Sequence, residues 1–264
     1  MSPNDAGVVL TRVENRVSYV ILNRPDRLNA ITVELDAELR KAVSAADQDP
    51  DSNVICITGA GRGFCAGADL SEPVRTCGLD YKLEPERIED FRFAYLLQLQ
   101  KPVVAALNGA AVGVGLVLAA FCDIRLASST AKFSLPYARL GLVAEYGIAW
   151  LLPQLVGRGM ARDMLLSGRA LDAAEACQKG LVDKVFEAET FQTDAAQYLA
   201  DLAARCSPRS LGVIKRQLDR ASTQTLLASV ALADSELAQA RQCADFKESI
   251  AAFKEKRSPV FGRP

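Results

Sequence analysis

The run Val103–Phe121 (VVAALNGAAVGVGLVLAAF) decides how the chain folds. It carries no charge and approaches the roughly 20 residues that cross a bilayer. Asn108, Gly109, Gly113 and Gly115 interrupt it, Lys101-Pro102 precede it and Asp123 follows it closely. These breaks divide it into a strand at Val103–Leu107, a turn, and a helix at Val114–Ala120. The expectation is a buried strand–turn–helix, not a membrane span. The turn Asn108–Leu116 opens a helix, and the N–H groups of a first helical turn lack intrahelical partners. An oxyanion placed there would be stabilised.

A second glycine-rich turn, Gly59-Ala-Gly61-Arg-Gly63-Phe64-Cys65-Ala66-Gly67-Ala68-Asp69, follows the apolar strand Asn53–Thr58. Its GxGxG spacing lacks the GxGxxG that runs straight into a helix, so it is a poor dinucleotide fingerprint. Two readings remain. The glycines make a tight turn, or they let backbone approach a ligand and aim a free N–H at it. Two strand-ending turns, each with a free N–H, could hold one oxygen between them.

Outward from these turns the first part of the chain alternates strand and helix. Val8–Val13 and Val17–Leu22 are short β-rich runs about a turn at Glu14-Asn15-Arg16. Val33–Ala46 has helical periodicity, Ile88–Gln100 reads as a helix, and Asp123–Ala127 and Lys132–Ser134 read as strands. Ser71–Arg87 is polar, holds two prolines and reads as a loop shaping a pocket. From about Ala188 the chain is helix-like: Thr190–Cys206, Pro208–Ala221, Thr223–Gln242 and Asp245–Lys256. The rhythm implies an α/β core over residues 1–190 and a helical appendage over residues 191–264 suited to oligomerisation.

Composition narrows the chemistry. The 264 residues include no histidine, which removes Ser-His-Asp and Cys-His catalysis and His-ligated zinc. Proton transfer must use Asp, Glu, Lys, Tyr, Cys or water. The net charge of −1 argues against a broad nucleic-acid surface. Seven scattered cysteines without a CxxC pair make a poor disulfide or zinc framework, and no metal site is expected. Together with an N-terminus unlike a signal peptide, they indicate a cytoplasmic protein.

Asn23-Arg24-Pro25-Asp26-Arg27-Leu28-Asn29-Ala30, Gly63 to Leu70, Asn108 to Gly115, Cys122-Asp123, Phe133 and Leu140-Gly141-Leu142 resemble, in order and spacing, the crotonase (enoyl-CoA hydratase/isomerase) superfamily. The resemblance covers nearly the whole chain. It implies a spiral of ββα units in two roughly perpendicular sheets, followed by C-terminal helices that build trimers or hexamers. It implies an acyl-CoA thioester substrate, with CoA entering as part of the substrate and no separate cofactor. By motif position, the backbone N–H groups of Ala68 and Val114 form an oxyanion hole for the thioester enolate. Arg27, Leu28, Ala30, Arg62, Phe64 and Ala66 fall where the family encloses CoA. Phe253 and Lys256 fall where a neighbouring subunit reaches it.

The acids depart from the hydratase pattern. Its two glutamates would stand at positions 117 and 137, which here hold Val117 and Tyr137. Leu140–Gly147 instead resembles the stretch carrying the single glutamate of certain Δ3,Δ2-enoyl-CoA isomerases, and puts Glu145 in that place. Glu145 is the sole charge in Gly141–Leu152 (GLVAEYGIAWLL), where burial would raise its pKa and make it a base near neutral pH. Its alternative role is capping the helix that begins near Tyr146. Tyr137 is either a hydroxyl donor to substrate or water, or a core aromatic. Asp69 and Asp123 read as local structural acids, and Cys65 lacks an activating partner. The expected reaction is isomerisation through Glu145. The alternatives are hydration or other enolate chemistry, and a non-catalytic CoA-binding protein.

Overall fold

The computed structural model describes residues 7–71 and 91–262. Strands β1 (Val9–Glu14) and β2 (Val17–Leu22) pair antiparallel across Asn15 and Arg16, both at positive φ. Helix α1 (Val33–Gln48) follows, then β3 (Val54–Gly59), β4 (Val103–Leu107), β5 (Ala111–Val112) and α2 (Val114–Ala120). Next come β6 (Ile124–Ser128), β7 (Lys132–Ser134), α3 (Ile148–Ser167), β8 (Leu171–Asp172), α4 (Ala173–Gln178) and β9 (Lys184–Phe186). Helices α5 (Phe191–Arg205), α6 (Pro208–Ala221), α7 (Leu226–Ala240) and α8 (Ala244–Glu255) complete the described chain.

The larger sheet has the order β1-β2-β3-β4-β6-β9 and is parallel from β2 onward; the smaller is β5-β7-β8. Both faces of its central strands are buried, which is why β3 and β4 read as continuous apolar runs. Side chains alternate between two cores. Val20, Leu22, Ile55, Ile57, Ala105 and Leu107 share one with Leu35, Leu39 and Val43 of α1 and the apolar α2. Val17, Tyr19, Val54, Cys56, Val104 and Ala106 pack with Phe191, Ala195, Leu199 and Ala203 of α5.

The helix ends are built by named groups. Thr32 caps α1, its hydroxyl accepting from the Leu35 N–H at 3.1 Å. At the other end the buried Lys101 donates to the carbonyls of Ala46 (2.6 Å) and Asp49 (2.5 Å). A cation suits a helix C-terminus, and these hydrogen bonds let an ammonium be buried there.

Most expected elements appear within a few residues of their sequence-based limits. The run Val103–Phe121 becomes β4, β5 and α2, and among the described residues no helix is long and apolar enough to cross a membrane. The expected helix over 88–100 is not seen over the described part, which holds only a 3-10 turn at Ala94–Gln98. Phe93, fully buried, sits at φ 62° and breaks any α-helical register there. Pro102 then disfavours helix at Lys101. Apart from Ser71, the expected loop Ser71–Arg87 lies outside the described residues, as does Cys77.

The C-terminal helices are tied to the core through a buried charge. Lys215 of α6 reaches Asp123 Oδ2 at 2.6 Å, and the same oxygen accepts from the Val103 N–H at 2.6 Å. Asp123 thus fixes the α2–β6 junction, its expected structural role. Helix α7, by contrast, buries no residue and leaves Leu226, Leu227, Val230 and Leu237 exposed. Replacing Lys215 by Met removes the cation from this pair and should cost about 3 kcal/mol of unfolding free energy, read by denaturant titration.

Candidate active site

Three segments far apart in sequence meet where the strands of the larger sheet end. Asn29, fully buried at positive φ, donates from Nδ2 to the carbonyls of Ala60 (2.9 Å) and Gly63 (2.8 Å). Its Oδ1 accepts from the Arg24 N–H at 2.9 Å. Asn108 repeats the device, donating to the Gly61 carbonyl at 2.9 Å and accepting from the Gly59 N–H at 3.2 Å. Glycine makes the approach possible. A Cβ at Gly109 would lie 2.1 Å from the Arg62 carbonyl oxygen, and one at Gly115 would lie 2.5 Å from that of Cys65. The start of α2 is therefore pressed onto the turn 59–69.

The ladder around Ala68 fixes where its N–H points. Ile31 donates to the Gly67 carbonyl at 2.8 Å and accepts from the Asp69 N–H at 3.0 Å. This parallel bridge uses the groups on either side of Ala68 and turns the Ala68 N–H away. Val114 is the first residue of α2, after Gly113 at φ 52° and ψ −125°, a conformation open essentially to glycine. The Gly113 N–H is held by the Ser134 carbonyl at 2.9 Å, whereas the N–H groups of Ala68 and Val114 make no hydrogen bond among the described residues. The two donors singled out from the motifs thus stand on neighbouring turns, each at a place where the chain leaves it unpaired.

Glu145 lies in the segment between β7 and α3. It does not cap α3: the N-cap is Gly147 at φ 79°, with no side-chain cap. Tyr146 is also at positive φ, so two successive residues turn the chain sharply after Glu145. Gly147 faces the ring of Phe121 at the end of α2, and Tyr146 meets Phe93 edge to face at 6.4 Å. Burial raises the Glu145 pKa, and the Arg92 guanidinium draws it part of the way back. Tyr137 packs in the core with Val117 and Phe121, and its hydroxyl has no hydrogen-bond partner among the described residues. Burial, then the charge of Glu145, raises its pKa. Val117 is fully buried in α2.

The neighbouring acids are engaged elsewhere. Asp69 accepts from the Ser71 hydroxyl and pairs with Arg24 at 2.8 Å, which together hold its pKa down at about 2. Cys65 is fully buried with its thiol pushed up to about 12, so it is no nucleophile. The segment 27–30 and the turn 62–66 come together: the Ala66 N–H donates to the Leu28 carbonyl at 2.9 Å. Arg27 and Arg62 are exposed there, Ala30 is buried, and Phe64 is fully buried with its ring in the core. Phe253 and Lys256 stand at the end of α8, both exposed, Lys256 at positive φ. The motifs did not single out Arg92. It donates to Tyr146 Oη at 3.1 Å and pairs with Asp36 of α1 at 3.0 Å.

Comparisons with known proteins bear on the family and the fold. The family model described as enoyl-CoA hydratase/isomerase matches residues 12–264. The chain is 38% identical over 256 residues to the 1,2-epoxyphenylacetyl-CoA isomerase of Escherichia coli (strain K12), covering 96% of this chain and 97% of that one. It is 33% identical over 257 residues to the (E)-benzylidenesuccinyl-CoA hydratase of Thauera aromatica, covering 96% and 98%. A crystal structure of an enoyl-CoA hydratase subunit from Geobacillus kaustophilus HTA426 superposes with a TM-score of 0.86 at 33% identity, covering 97% of this chain and 98% of that one. With its two sheets, its C-terminal helices and its laced glycine turns, the chain belongs to the enoyl-CoA hydratase/isomerase family, a member of the crotonase superfamily.

Proposed function

We propose that the protein isomerises an enoyl-CoA thioester, moving a C3–C4 double bond to C2–C3 with Glu145 as its single acid–base group. The supporting observation is the environment of Glu145. It is a half-buried carboxyl of raised pKa in an apolar turn, while the two positions for a hydratase's glutamates hold a fully buried valine and a buried tyrosine. Two acids whose places in the fold lie close by, Asp36 and Asp69, are bound to arginines. One base suffices for a shift of a double bond, whereas syn addition of water in the hydratase pattern employs two carboxylates. The name of the Escherichia coli relative, an isomerase of a CoA thioester, is consistent with this reading.

In this mechanism the thioester oxygen takes the N–H groups of Ala68 and Val114. The Glu145 carboxylate removes a proton from C2, and the electron pair moves into the thioester to leave a dienolate. The two peptide donors stabilise the developing charge, and loss of one such donor typically costs about 3–4 kcal/mol of barrier. The protonated Glu145 returns the proton at C4, which restores the carboxylate and conjugates the double bond. Val117 and Phe121 help keep this region dry, so that water does not compete. Arg27 and Arg62, exposed at the meeting of segments 27–30 and 62–66, suit the phosphates of CoA, with the half-buried Leu28 and Ala66 between them and the buried Ala30 and Phe64 supporting that surface from beneath. No metal or further cofactor takes part in these steps. The reaction takes place in an aqueous, reducing compartment.

The exposed leucines of α7 and the exposed Phe253 support assembly into trimers or hexamers, in which Phe253 and Lys256 reach a neighbour's CoA. Light scattering should return the mass of three or six chains of 28.4 kDa. Glu145→Gln should abolish conversion of a 3-enoyl-CoA while acyl-CoA still binds by titration calorimetry. Turnover near that of the parent, or rapid loss of the conjugated absorbance of crotonyl-CoA with the parent protein, would overturn the assignment. Because the base must be ionised and its pKa is raised, the acidic limb of kcat/KM should fall above the ordinary glutamate range. Gly115→Ala, which forces α2 off Cys65, should lower kcat by about 10²-fold, as a displacement near 1 Å does.

A further inference from the structure

Arg92 holds a position that the mechanism above does not use. Its side chain is 14% exposed. Nε lies 3.0 Å from Asp36 Oδ2 in the first turn of α1, and Nη1 donates to Tyr146 Oη at 3.1 Å. The guanidinium also stands over the rings of Phe93 (5.3 Å) and Tyr146 (5.1 Å). Asp36 and Tyr146 belong to the two halves of the site. Asp36 donates its N–H to the Thr32 carbonyl, one residue after Ile31, whose N–H and carbonyl frame Ala68. Tyr146 is bonded to Glu145 and begins the sharp turn that precedes α3.

We propose that Arg92 is the positioning residue of the site: one guanidinium ties the α1 end that frames Ala68 to the turn that carries Glu145. This rests on the one-base reading above and gives that reading its missing spatial constraint. The base and the oxyanion donor come from segments that share no sheet ladder, yet a proton transfer at C2 requires both to be set to within a fraction of an ångström. A planar guanidinium holds its donors in a fixed fork, so bridging two partners also fixes their relative direction, which a freely rotating lysine ammonium does not do. The charge acts on Glu145 as well, favouring the carboxylate. Among the described residues, Arg92 also faces Tyr95 on the 3-10 turn and Cys65 of the turn 59–69, and Tyr137 faces Glu145. Arg40 lies over the Tyr95 ring at 4.3 Å.

Three variants test this in the full-length protein. Arg92→Gln loses bridge and charge: kcat should fall about tenfold or more with KM nearly unchanged, and the acidic limb should move up by about one pH unit. Arg92→Lys restores the charge alone, so the limb should return while kcat stays low. Tyr146→Phe loses one end of the bridge with the charge kept, so kcat should fall and the limb should stay. If Arg92→Gln does not fold, the other two variants carry the same readings. The Glu145 carboxyl carbon, assigned by its loss in Glu145→Gln and titrated by ¹³C NMR, should shift upward in Arg92→Gln without any turnover. That measurement stands even if the isomerase reading fails. Parent-like kcat in Arg92→Lys and Tyr146→Phe, or an unmoved Glu145 titration in Arg92→Gln, would overturn the proposal.

Discussion

Everything at this site depends on backbone meeting backbone. At Gly109 the turn after β4, and at Gly115 the start of α2, lie so close to the turn 59–69 that a single methyl group would collide with carbonyl oxygens of Arg62 and Cys65. Such closeness brings polar groups together away from water, and each must then be paired. Asn29 and Asn108 meet that demand, their amides satisfying carbonyls and N–H groups of the turn that no strand can reach. Among the described residues, the N–H groups of Ala68 and Val114 are among those that this lacing leaves unpaired.

The rest of the fold holds that junction steady. The larger sheet packs α1 and α2 on one side and α5 on the other, so both strands leading into the glycine turns are clamped. Buried cations secure its margins. Lys101 closes the end of α1, Lys215 pins α6 to Asp123, and Arg125 donates to the carbonyls of Leu181 and Cys122 while pairing with Asp183. Each is a charge removed from water and repaired by specific oxygens, an arrangement that tolerates little movement.

Much of this was legible from local pattern. The glycines and Asn108 divided the apolar run at 103–121, and α2 falls where those breaks placed it. Asp123 reads as a junction acid and is one. What local pattern could not supply was set by distant partners. The stretch before Pro102 has helical composition, but burying Phe93 at a positive φ prevents a helix there. Glu145 stands out in sequence as a lone charge, yet its capping role fails because Gly147, not an acid, occupies the cap. Arg92 carries no local signal at all, since its hydroxyl partner lies 54 residues further on.

The paired peptide donors have an inverted genetic signature. A side chain at position 68 or 114 can change without touching the N–H that the reaction would use, whereas Gly109, Gly115, Asn29 and Asn108 hold that N–H in place. A map of intolerant positions would therefore be dominated by the scaffold behind the site, with the half-buried Ala68 standing out less than the glycines and asparagines around it. Change at the side chain of position 68 would then leave the direction of its N–H, on which the proposed mechanism relies, in place.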